Sequence, residues 1–339
     1  MNILLTGYTG NLGKEMAHQL AGHEVHALVR DVEKVNALHQ PHVQIHPGDF
    51  DELPNKLAAD IEVIIHAAAS TAFRAPLATL REVNVEGTAR MLEFARRCPL
   101  LKKFVQVSTA CVCGTNVGLV EEARLVRPIG FVNAYEQSKW EAEELVFDSD
   151  LPVEVVRLSI VAGSETDGSV LRLGAMHHLL FWLWKGLIPM MPGSDQTRVD
   201  LISTEYAAAV VAACVDSPLE SGRVMHGCAG DAAPRLSELL QHLASVFEPT
   251  SNGWRSGSIV APAIVDAETF AMFKTSVMQS GDVLFRRVLE DAESFLPGLL
   301  HPRQHATDNA DRCCLQPRAD WKPLTELVTH HVIQSKSRS

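Results

Sequence analysis

The feature that most constrains the fold is a glycine-rich turn close to the N-terminus. Residues Thr6 to Gly13 read TGYTGNLG, follow a short apolar run and open a stretch with helical spacing. In a strand-turn-helix unit, Gly7 permits the tight turn, Gly10 lets a pyrophosphate approach the backbone, and Gly13 lets the helix pack on the sheet. The turn therefore predicts a dinucleotide-binding unit, whose phosphate-binding residues we expect to be Gly7, Thr9, Gly10, Asn11, Leu12 and Gly13.

Strand-like and helix-like segments alternate through the first half of the chain. This alternation predicts an α/β fold with a Rossmann-type, doubly wound parallel sheet, and the regularity fades after about residue 163. Beyond it, the sequence predicts a smaller, mostly helical C-terminal region that binds substrate. Strands are predicted at 2–6, 23–30, 43–50, 61–69, 103–109 and 151–159, and helices at 11–22, 83–98, 133–146, 201–215 and 235–247.

The end of the second predicted strand offers a test of cofactor type. NAD-binding folds usually place an acidic residue there, but this strand ends in LVRD, so the first polar residue is Arg30. A cation suits a 2′-phosphate and predicts NADP(H), with NAD(H) as the alternative. The alternative is that Arg30 is only a solvated strand end. The adjacent Asp31, an acidic residue, also counts against NADP(H).

The next two strand ends supply further candidate cofactor contacts. Asp49 closes the third strand and is expected to accept a hydrogen bond from the adenine amino group, with Phe50 beside the ring. The fourth strand ends in HAAA, where small side chains leave room for a ribose, although a packed strand end explains them almost as well. His66 fits a packed, hydrogen-bonded residue better than a catalyst. The candidate ribose contacts are Ala67, Ala68 and Ala69.

Composition excludes several classes of function. The 339 residues carry a formal net charge of −11 without a long basic run, which argues against a nucleic-acid partner. The seven cysteines form no zinc-binding CxxC pattern, so we expect no metal, and free thiols suit a reducing cytoplasm. We expect no signal peptide, since the N-terminus runs straight into a strand. The apolar segment 179–193 is too short to span a bilayer; it fits a buried helix, a pocket wall or a membrane-touching surface.

The chain resembles the extended short-chain dehydrogenase/reductases. The matching motifs fall in family order across residues 1 to about 165, and a later segment, VDLISTEYAAAVV, is similar to one that returns to the nucleotide domain. The resemblance implies a nucleotide domain at 1–165 with 199–230 returning to it, and a substrate region at 166–198 and 231–339. The earlier motifs are TGYTGNLG, GDF, HAAA, NVEGT, VSTACVCG and YEQSK, the last from Tyr135 to Lys139.

The resemblance also implies catalytic roles. Thr109, Tyr135 and Lys139 take the places of the family's catalytic hydroxyl, tyrosine and lysine, and Asn84 is expected to brace the active site. One helical turn puts Lys139 on the same face as Tyr135, where an ammonium would favour the ionised phenol, and Lys139 is also expected to hold the nicotinamide ribose. Thr109 would donate to a substrate carbonyl oxygen, and Tyr135 would protonate it as hydride arrives.

A few positions discriminate among branches of this family. Ala110 and Cys111 replace the acid-base pair of the sugar dehydratases. Ile160 and Cys113 stand where sugar-nucleotide enzymes carry asparagine and tyrosine; the roles of the two cysteines stay open. The remaining pattern resembles the acyl-thioester and fatty-acyl reductase branch.

The branch implies an apolar acyl thioester or aldehyde as substrate, carried on CoA or a carrier protein, and a homodimer by analogy. A stand-alone reductase of polycyclic or aromatic ketones is the alternative activity. A non-catalytic NAD(P)-sensing regulator is the alternative of another class, and the retained Thr109, Tyr135 and Lys139 argue against it.

Overall fold

A seven-stranded parallel sheet forms the centre of the protein. The computed structural model describes residues 1–35, 40–50, 53, 55–250, 261–293 and 295–337. The strand order in the main sheet is β11-β7-β5-β4-β1-β2-β3, and three further strand pairs lie outside it, β6 with β13, β8 with β10 and β9 with β12. The strands are β1 Asn2–Thr6, β2 Glu24–Val29, β3 Val43–Pro47, β4 Val63–His66, β5 Lys103–Thr109, β6 Gly118–Val120, β7 Val153–Leu158, β8 Ile160–Gly163, β9 Met190–Pro192, β10 Leu201–Ser203, β11 Val224–Gly227, β12 Ala263–Val265 and β13 Arg303–His305.

Helices cover the sheet and build most of the C-terminal region. This arrangement confirms the predicted doubly wound α/β fold with a mostly helical second part. The helices are α1 Gly13–Gln19, α2 Asn55–Ala58, α3 Leu77–Asn84, α4 Glu86–Arg96, α5 Ala134–Phe147, α6 Ala175–Trp184, α7 Thr204–Asp216, α8 Leu236–Thr250, α9 Ala267–Ser280, α10 Val283–Ala292, α11 Asp308–Cys313 and α12 Trp321–Ser337.

The strand order reverses between β1 and β4. Strands β2 and β3 lie to one side of β1, and β4, β5, β7 and β11 lie to the other. Thr6 at the end of β1 is in register with Leu28 on one side and His66 on the other. Ligands of open α/β sheets bind beyond the carboxyl ends of the strands at such a switch point, so the fold directs the site to the edge where Thr6 ends.

Two apolar layers sandwich the sheet and a third core lies in the C-terminal region. One layer joins the sheet to α1 and α7, and the other joins it to α4. The third core contains α6, α8, α10 and α12, with Trp184 and Met191 from the apolar segment buried in it. That segment therefore contains a buried helix, which is one of the three alternatives that its sequence left open. Among the described helices, none is long and apolar enough to cross a membrane.

Several predicted helices differ from the structure at their ends, and two of these differences have a local cause. The helix predicted at 83–98 is divided near Val85, where the Thr88 hydroxyl donates to the Asn84 carbonyl at 2.7 Å, a bond that bends helices. The helix predicted at 201–215 begins later, because Leu201–Ser203 pairs with β8 as a strand. The Ser203 side chain then caps the helix by accepting from the Tyr206 N–H.

A buried charge cluster ties β5, β7 and the segment before β11 together. The Glu154 carboxylate is fully buried and lies 3.2 Å from the Lys103 ammonium and 3.0 Å from the Arg223 guanidinium. Lys103 also donates to the Ser217 carbonyl at 2.8 Å. Removing one partner of a buried pair leaves an uncompensated charge, which is far more costly than losing an exposed pair.

We expect Glu154→Ala to destabilise the fold by about 3–5 kcal/mol, because it leaves two buried cations without their carboxylate. Urea unfolding followed by circular dichroism measures this. The matched control is Asp150→Asn, which removes the exposed carboxylate 3.1 Å from Arg96 and should leave the midpoint almost unchanged. Equal midpoints for the two variants would show that the cluster is not the stabilising element described.

Candidate active site

The glycine turn has the geometry that its sequence predicts. Gly7 has a φ of 83°, and a Cβ there would lie 2.9 Å from the backbone of Ala67 and Ala68. A Cβ on Gly13 would lie 2.3 Å from the Gly7 carbonyl oxygen. Glycine is therefore required at both positions, because any side chain would push the turn away from β4 or from the start of α1. Gly10 donates to the Gly7 carbonyl at 2.9 Å and closes the turn.

The ends of β1 and β4 are joined by one hydroxyl. Thr6 Oγ1 accepts from the Ala67 and Ala68 N–H groups at 3.1 Å each and lies 2.9 Å from His66 Nδ1. His66 is buried, and burial lowers its pKa to about 3, so the ring is neutral. His66 is thus a packed, hydrogen-bonded residue, as the sequence favours. Ala67, Ala68 and Ala69, which follow it, are half-buried and have small side chains, so little side-chain volume covers the backbone beside the turn.

The remaining candidate cofactor residues line the same edge of the sheet. Arg30 is exposed directly after β2, the strand that pairs with β1. Asp49 and Phe50 follow β3 and are half-buried; the Phe50 ring lies against His66, with ring centroids 5.4 Å apart. The Asn11 side chain donates to the Arg172 carbonyl at 3.0 Å and accepts from its N–H at 2.8 Å, which holds residue 172 beside the turn.

Asn84 braces the centre of the site. Its Oδ1 accepts from the Ser70 N–H at 2.7 Å, and its Nδ2 donates to the Ser70 carbonyl at 3.1 Å and to Ser138 Oγ at 2.9 Å. The Ser138 hydroxyl donates to the Tyr135 carbonyl at 2.8 Å. One buried amide therefore links the loop after β4 to the first turn of α5, which agrees with the bracing role expected for it.

The start of α5 is fixed by a reciprocal cap. Asn133 accepts from the Glu136 N–H at 2.9 Å, and the Glu136 carboxylate accepts from the Val132 N–H at 3.0 Å. Burial raises the pKa of Glu136 to about 7, against the opposing effects of the Arg303 guanidinium and the Val132 N–H. The cap sets the position of the tyrosine that follows Asn133 by two residues.

Tyr135 and Thr109 lie on two elements that pack together, since α5 packs against β5 and the turn that follows it. Both are only 9% exposed, and the Phe73 ring covers Tyr135 edge-on with centroids 4.8 Å apart. Thr109 Oγ1 accepts from the Cys111 N–H at 3.2 Å. Burial raises the pKa of Tyr135 above its usual value, with smaller effects of Cys111 and Glu136 in the same direction, and the phenol is protonated at neutral pH.

Lys139 lies one turn further along α5 and points into the sheet. Its Nζ donates to the Val107 carbonyl at 2.9 Å and is almost fully buried. Burial lowers the pKa of Lys139 to about 8, although the Glu143 carboxylate opposes this. Burial is the largest cause of the raised pKa of Tyr135, and the expectation that the Lys139 ammonium favours the ionised phenol stays a prediction.

The cysteines beside Thr109 are protonated. Cys113 is buried, donates to the Ala110 carbonyl at 3.2 Å, and burial raises its pKa to about 11. Burial also raises the pKa of Cys111, while the nearby Arg303 guanidinium lowers it. Neither thiol is poised as a nucleophile at neutral pH, so packing is the role that the structure supports for both.

Comparison with known proteins now assigns the family. The family model described as male sterility protein, an NAD-binding family, matches residues 37–211, just over half of the chain. The chain belongs to this family. The match confirms the predicted kinship with the acyl-thioester and fatty-acyl reductase branch of the extended short-chain dehydrogenase/reductases, and with it an NAD(P)-dependent enzyme of that class.

This chain matches only part of the length of its curated relatives. Glycine betaine reductase ATRR from Emericella nidulans is 29% identical over 243 residues, which are 59% of this chain and 19% of that protein. A Drosophila melanogaster protein provisionally named a fatty acyl-CoA reductase is 26% identical over 280 residues, covering 67% of this chain and 51% of that one. The chain thus spans about half or less of these relatives.

A solved structure supports the fold over the whole chain. The terminal R domain from the myxalamid PKS-NRPS biosynthetic pathway superposes with a TM-score of 0.81 at 20% identity, covering 99% of this chain and 91% of that one. At this identity the likeness concerns the architecture. It extends the agreement beyond residues 37–211 of the family match into the C-terminal helices.

The strand-end residues fit the nicotinamide dinucleotide that the family name implies. Gly7, Gly10 and Gly13 carry no side chain in the turn, and the half-buried Ala67 and Ala68 place only small side chains beside it. A phosphate group approaches such a backbone closely, and a ribose fits against small residues. Arg30 lies one strand away, on the side where the adenosine half would extend.

Two hydrogen bonds to Asp291 could not be predicted from the sequence. Arg74, next to Phe73, donates to Asp291 Oδ1 at 3.2 Å, and Trp182 Nε1 donates to Asp291 Oδ2 at 3.0 Å. Asp291 on α10 therefore ties the loop that covers Tyr135 to the C-terminal helices. These partners lie more than one hundred residues apart, and no local motif marks them.

We expect Glu136→Gln to remove a pH dependence of stability. The folded pKa of about 7 lies above the usual 4.5, so Glu136 favours the folded state below about pH 4.5, and this contribution is lost as the pH rises towards 7. The variant should therefore gain stability relative to wild type between pH 5 and pH 8 by up to about 3 kcal/mol, measured by urea unfolding.

Glu141→Gln is the matched control on the same helix. Its carboxylate pairs with Arg81 at 2.6 Å, which lowers the pKa of Glu141, so it contributes stability above its usual pKa and should lose it on substitution. The same sign for both variants would contradict the burial described for Glu136.

Proposed function

We propose that the protein is an NADPH-dependent reductase that transfers hydride to the carbonyl carbon of an apolar acyl thioester or aldehyde. The observation that carries the proposal is the buried group Thr109, Tyr135 and Lys139 at the carboxyl edge of the sheet, in a chain of the male sterility family. The relatives named for betaine reduction and acyl-CoA reduction support a carboxyl-derived carbonyl as substrate.

The proton in this reaction comes from Tyr135. Its raised pKa keeps the phenol protonated at neutral pH, so it serves as a donor and not as a base in the direction of reduction. Thr109 offers its hydroxyl hydrogen to the same carbonyl oxygen, while its own oxygen accepts from the Cys111 N–H. Two donors aimed at one oxygen stabilise the negative charge that develops there.

Lys139 positions the site in this proposal. One of its N–H groups is held by the Val107 carbonyl, which leaves others for ribose hydroxyls. With a pKa of about 8, Lys139 keeps its charge at neutral pH, although burial has lowered this pKa almost to neutrality. The charge would stabilise the phenolate left after Tyr135 gives up its proton.

Reduction of an aldehyde and reduction of a thioester begin with the same two transfers, of a hydride and of a proton. The reduced nicotinamide supplies a hydride to the carbonyl carbon. For an aldehyde, proton donation by Tyr135 to the oxygen completes an alcohol. For a thioester, the same two transfers give a hemithioacetal, whose carbon–sulfur bond then breaks to release a thiol and leave an aldehyde.

The surroundings of Tyr135 favour an apolar substrate. Phe73 packs on the phenol, and the apolar helix α6 contributes Phe181 and Trp182 to the adjoining region, where Asp291 ties α10 to the Phe73 loop. Apolar walls exclude water from the reacting carbonyl, which strengthens the hydrogen bonds that Thr109 and Tyr135 make to it.

We expect NADPH oxidation with acyl-pantetheine thioesters and long-chain aldehydes, and none with UDP-sugars. Tyr135→Phe should lower the rate at least about 100-fold, since it removes the proton donor, while the Kd for NADPH stays unchanged. Absorbance of NADPH reports turnover, and fluorescence titration reports binding. Tyr206→Phe is the matched control, because that buried hydroxyl on α7 has no hydrogen-bond partner among the described residues.

Other outcomes separate the alternatives. Turnover of polycyclic ketones with no reaction of thioesters or aldehydes would replace the proposal by a ketone reductase. Cofactor binding without reduction of any of these carbonyls would favour a sensing role. A wild-type rate in Tyr135→Phe would refute the assignment of the proton donor.

We also expect NADPH to bind more tightly than NADH, because the exposed Arg30 follows β2 where NAD-specific proteins carry an acid. Arg30→Asp should reverse the preference by at least about tenfold, measured by titrating both cofactors. Arg96→Asp makes the same charge change at the far end of α4 and should leave the preference intact. A wild-type preference for NADH would contradict the role of Arg30.

A further inference from the structure

Three metal-ligating side chains converge where three distant segments meet. Asp200 precedes β10, Cys228 follows β11, and His305 ends β13. Their ligand atoms all lie within 4.8 Å of one another. Cys228 is fully buried and His305 is 5% exposed, while the Asp200 side chain keeps 13% exposure and marks the side from which an ion could enter. No sequence motif marks this cluster, since the three residues are far apart along the chain.

Buried polar atoms without partners surround the same point. Within the described part of the chain, neither ring nitrogen of His305 makes a hydrogen bond of normal geometry, and the Ser159 hydroxyl makes none of normal geometry either. Ser159 lies beside both Asp200 and Cys228. An unsatisfied buried nitrogen or oxygen costs stability, so several of them around one point indicate a common partner.

The spacing of the donors suits an ion better than a hydrogen bond. His305 Nδ1 and Asp200 Oδ2 are 3.6 Å apart, which is too long for a hydrogen bond. Two ligands at about 2.1 Å from a tetrahedral zinc are separated by about 3.4 Å. The pair therefore already stands close to the separation that a shared ion requires.

The Asp200 carboxylate is oriented by the backbone. Its Oδ1 accepts from the Ala229 N–H at 2.7 Å, and its Oδ2 accepts from the Gly230 N–H at 3.1 Å. These two residues directly follow Cys228, so one loop fixes both the carboxylate and the thiol. Backbone hydrogen bonds that orient a ligating carboxylate are a regular feature of protein metal sites.

The donor set selects the type of ion. One sulfur, one imidazole nitrogen and one carboxylate oxygen are ligands that suit Zn²⁺, whereas Mg²⁺ and Ca²⁺ prefer oxygen alone. A thiolate and a carboxylate together cancel the charge of a divalent cation. A neutral assembly is what a buried site requires, because an uncompensated charge is costly to bury.

We propose that Asp200, Cys228 and His305 form a Zn²⁺ site, with a water molecule or the Ser159 hydroxyl as the fourth ligand. The ion would tie β13 to the nucleotide-binding sheet. Arg303 at the other end of β13 donates to the Gly114 carbonyl in the loop after Thr109, so the site would also hold this strand against the catalytic loop. The proposal does not depend on the reaction assigned above.

A cobalt titration of the full-length protein tests the site. The protein is stripped with EDTA in a non-thiol reductant and titrated with Co²⁺. We expect one equivalent to bind, giving the visible bands of tetrahedral cobalt and a near-ultraviolet thiolate charge-transfer band, both abolished by Zn²⁺. Zinc should also raise the Tm of the stripped protein.

Variants assign the bands to the ligands. Cys228→Ser should lose the charge-transfer band, whereas Cys98→Ser, which changes a buried thiol at the end of α4, should keep it. His305→Gln should weaken Co²⁺ binding by at least about tenfold. A charge-transfer band that survives in Cys228→Ser would overturn the assignment.

The wild-type titration decides the question even if a variant does not fold. Stripped wild-type protein that shows no thiolate band and no change of Tm with Zn²⁺ would overturn the proposal. The cluster would then be a buried polar network without an ion.

Discussion

The buried amide of Asn84 is the contact on which the arrangement of the site depends. It binds both backbone groups of Ser70 and also the Ser138 hydroxyl, which in turn holds the Tyr135 carbonyl. Strand β4 and helix α5 belong to different parts of the sequence, and this amide sets their separation. Because hydrogen bonds of a buried amide are costly to leave unmade, the loop after β4 and the first turn of α5 move as one unit.

The sheet explains why distant motifs act together. Seven parallel strands bring their carboxyl ends to one edge, so the glycine turn after β1, the alanines after β4 and the hydroxyl that ends β5 meet without any contact in sequence. The reversal of strand order beside β1 opens the crevice at that edge. Helices α6 and α10 of the C-terminal region belong to a separate apolar core.

The elements of the first half of the chain were predicted well, because each motif depends on the backbone conformation of a few neighbouring residues. The glycines of the turn and the alternation of strands and helices are both decided within a few residues. The sequence did not reveal the contact between Phe73 and Tyr135, the position of Asp291 or the meeting of Cys228 with His305. Those depend on chain segments brought together by the whole fold, and no spacing encodes them.

The double hydrogen bond at Asp291 adds a second anchor to the loop that covers Tyr135. Asn84 holds this loop at Ser70, and Asp291 holds it at Arg74 while also accepting from Trp182 of α6. Phe73 lies between these two anchors, so its ring is held against the phenol from both sides. The cover of Tyr135 therefore depends on the packing of the C-terminal helices as well as on the sheet.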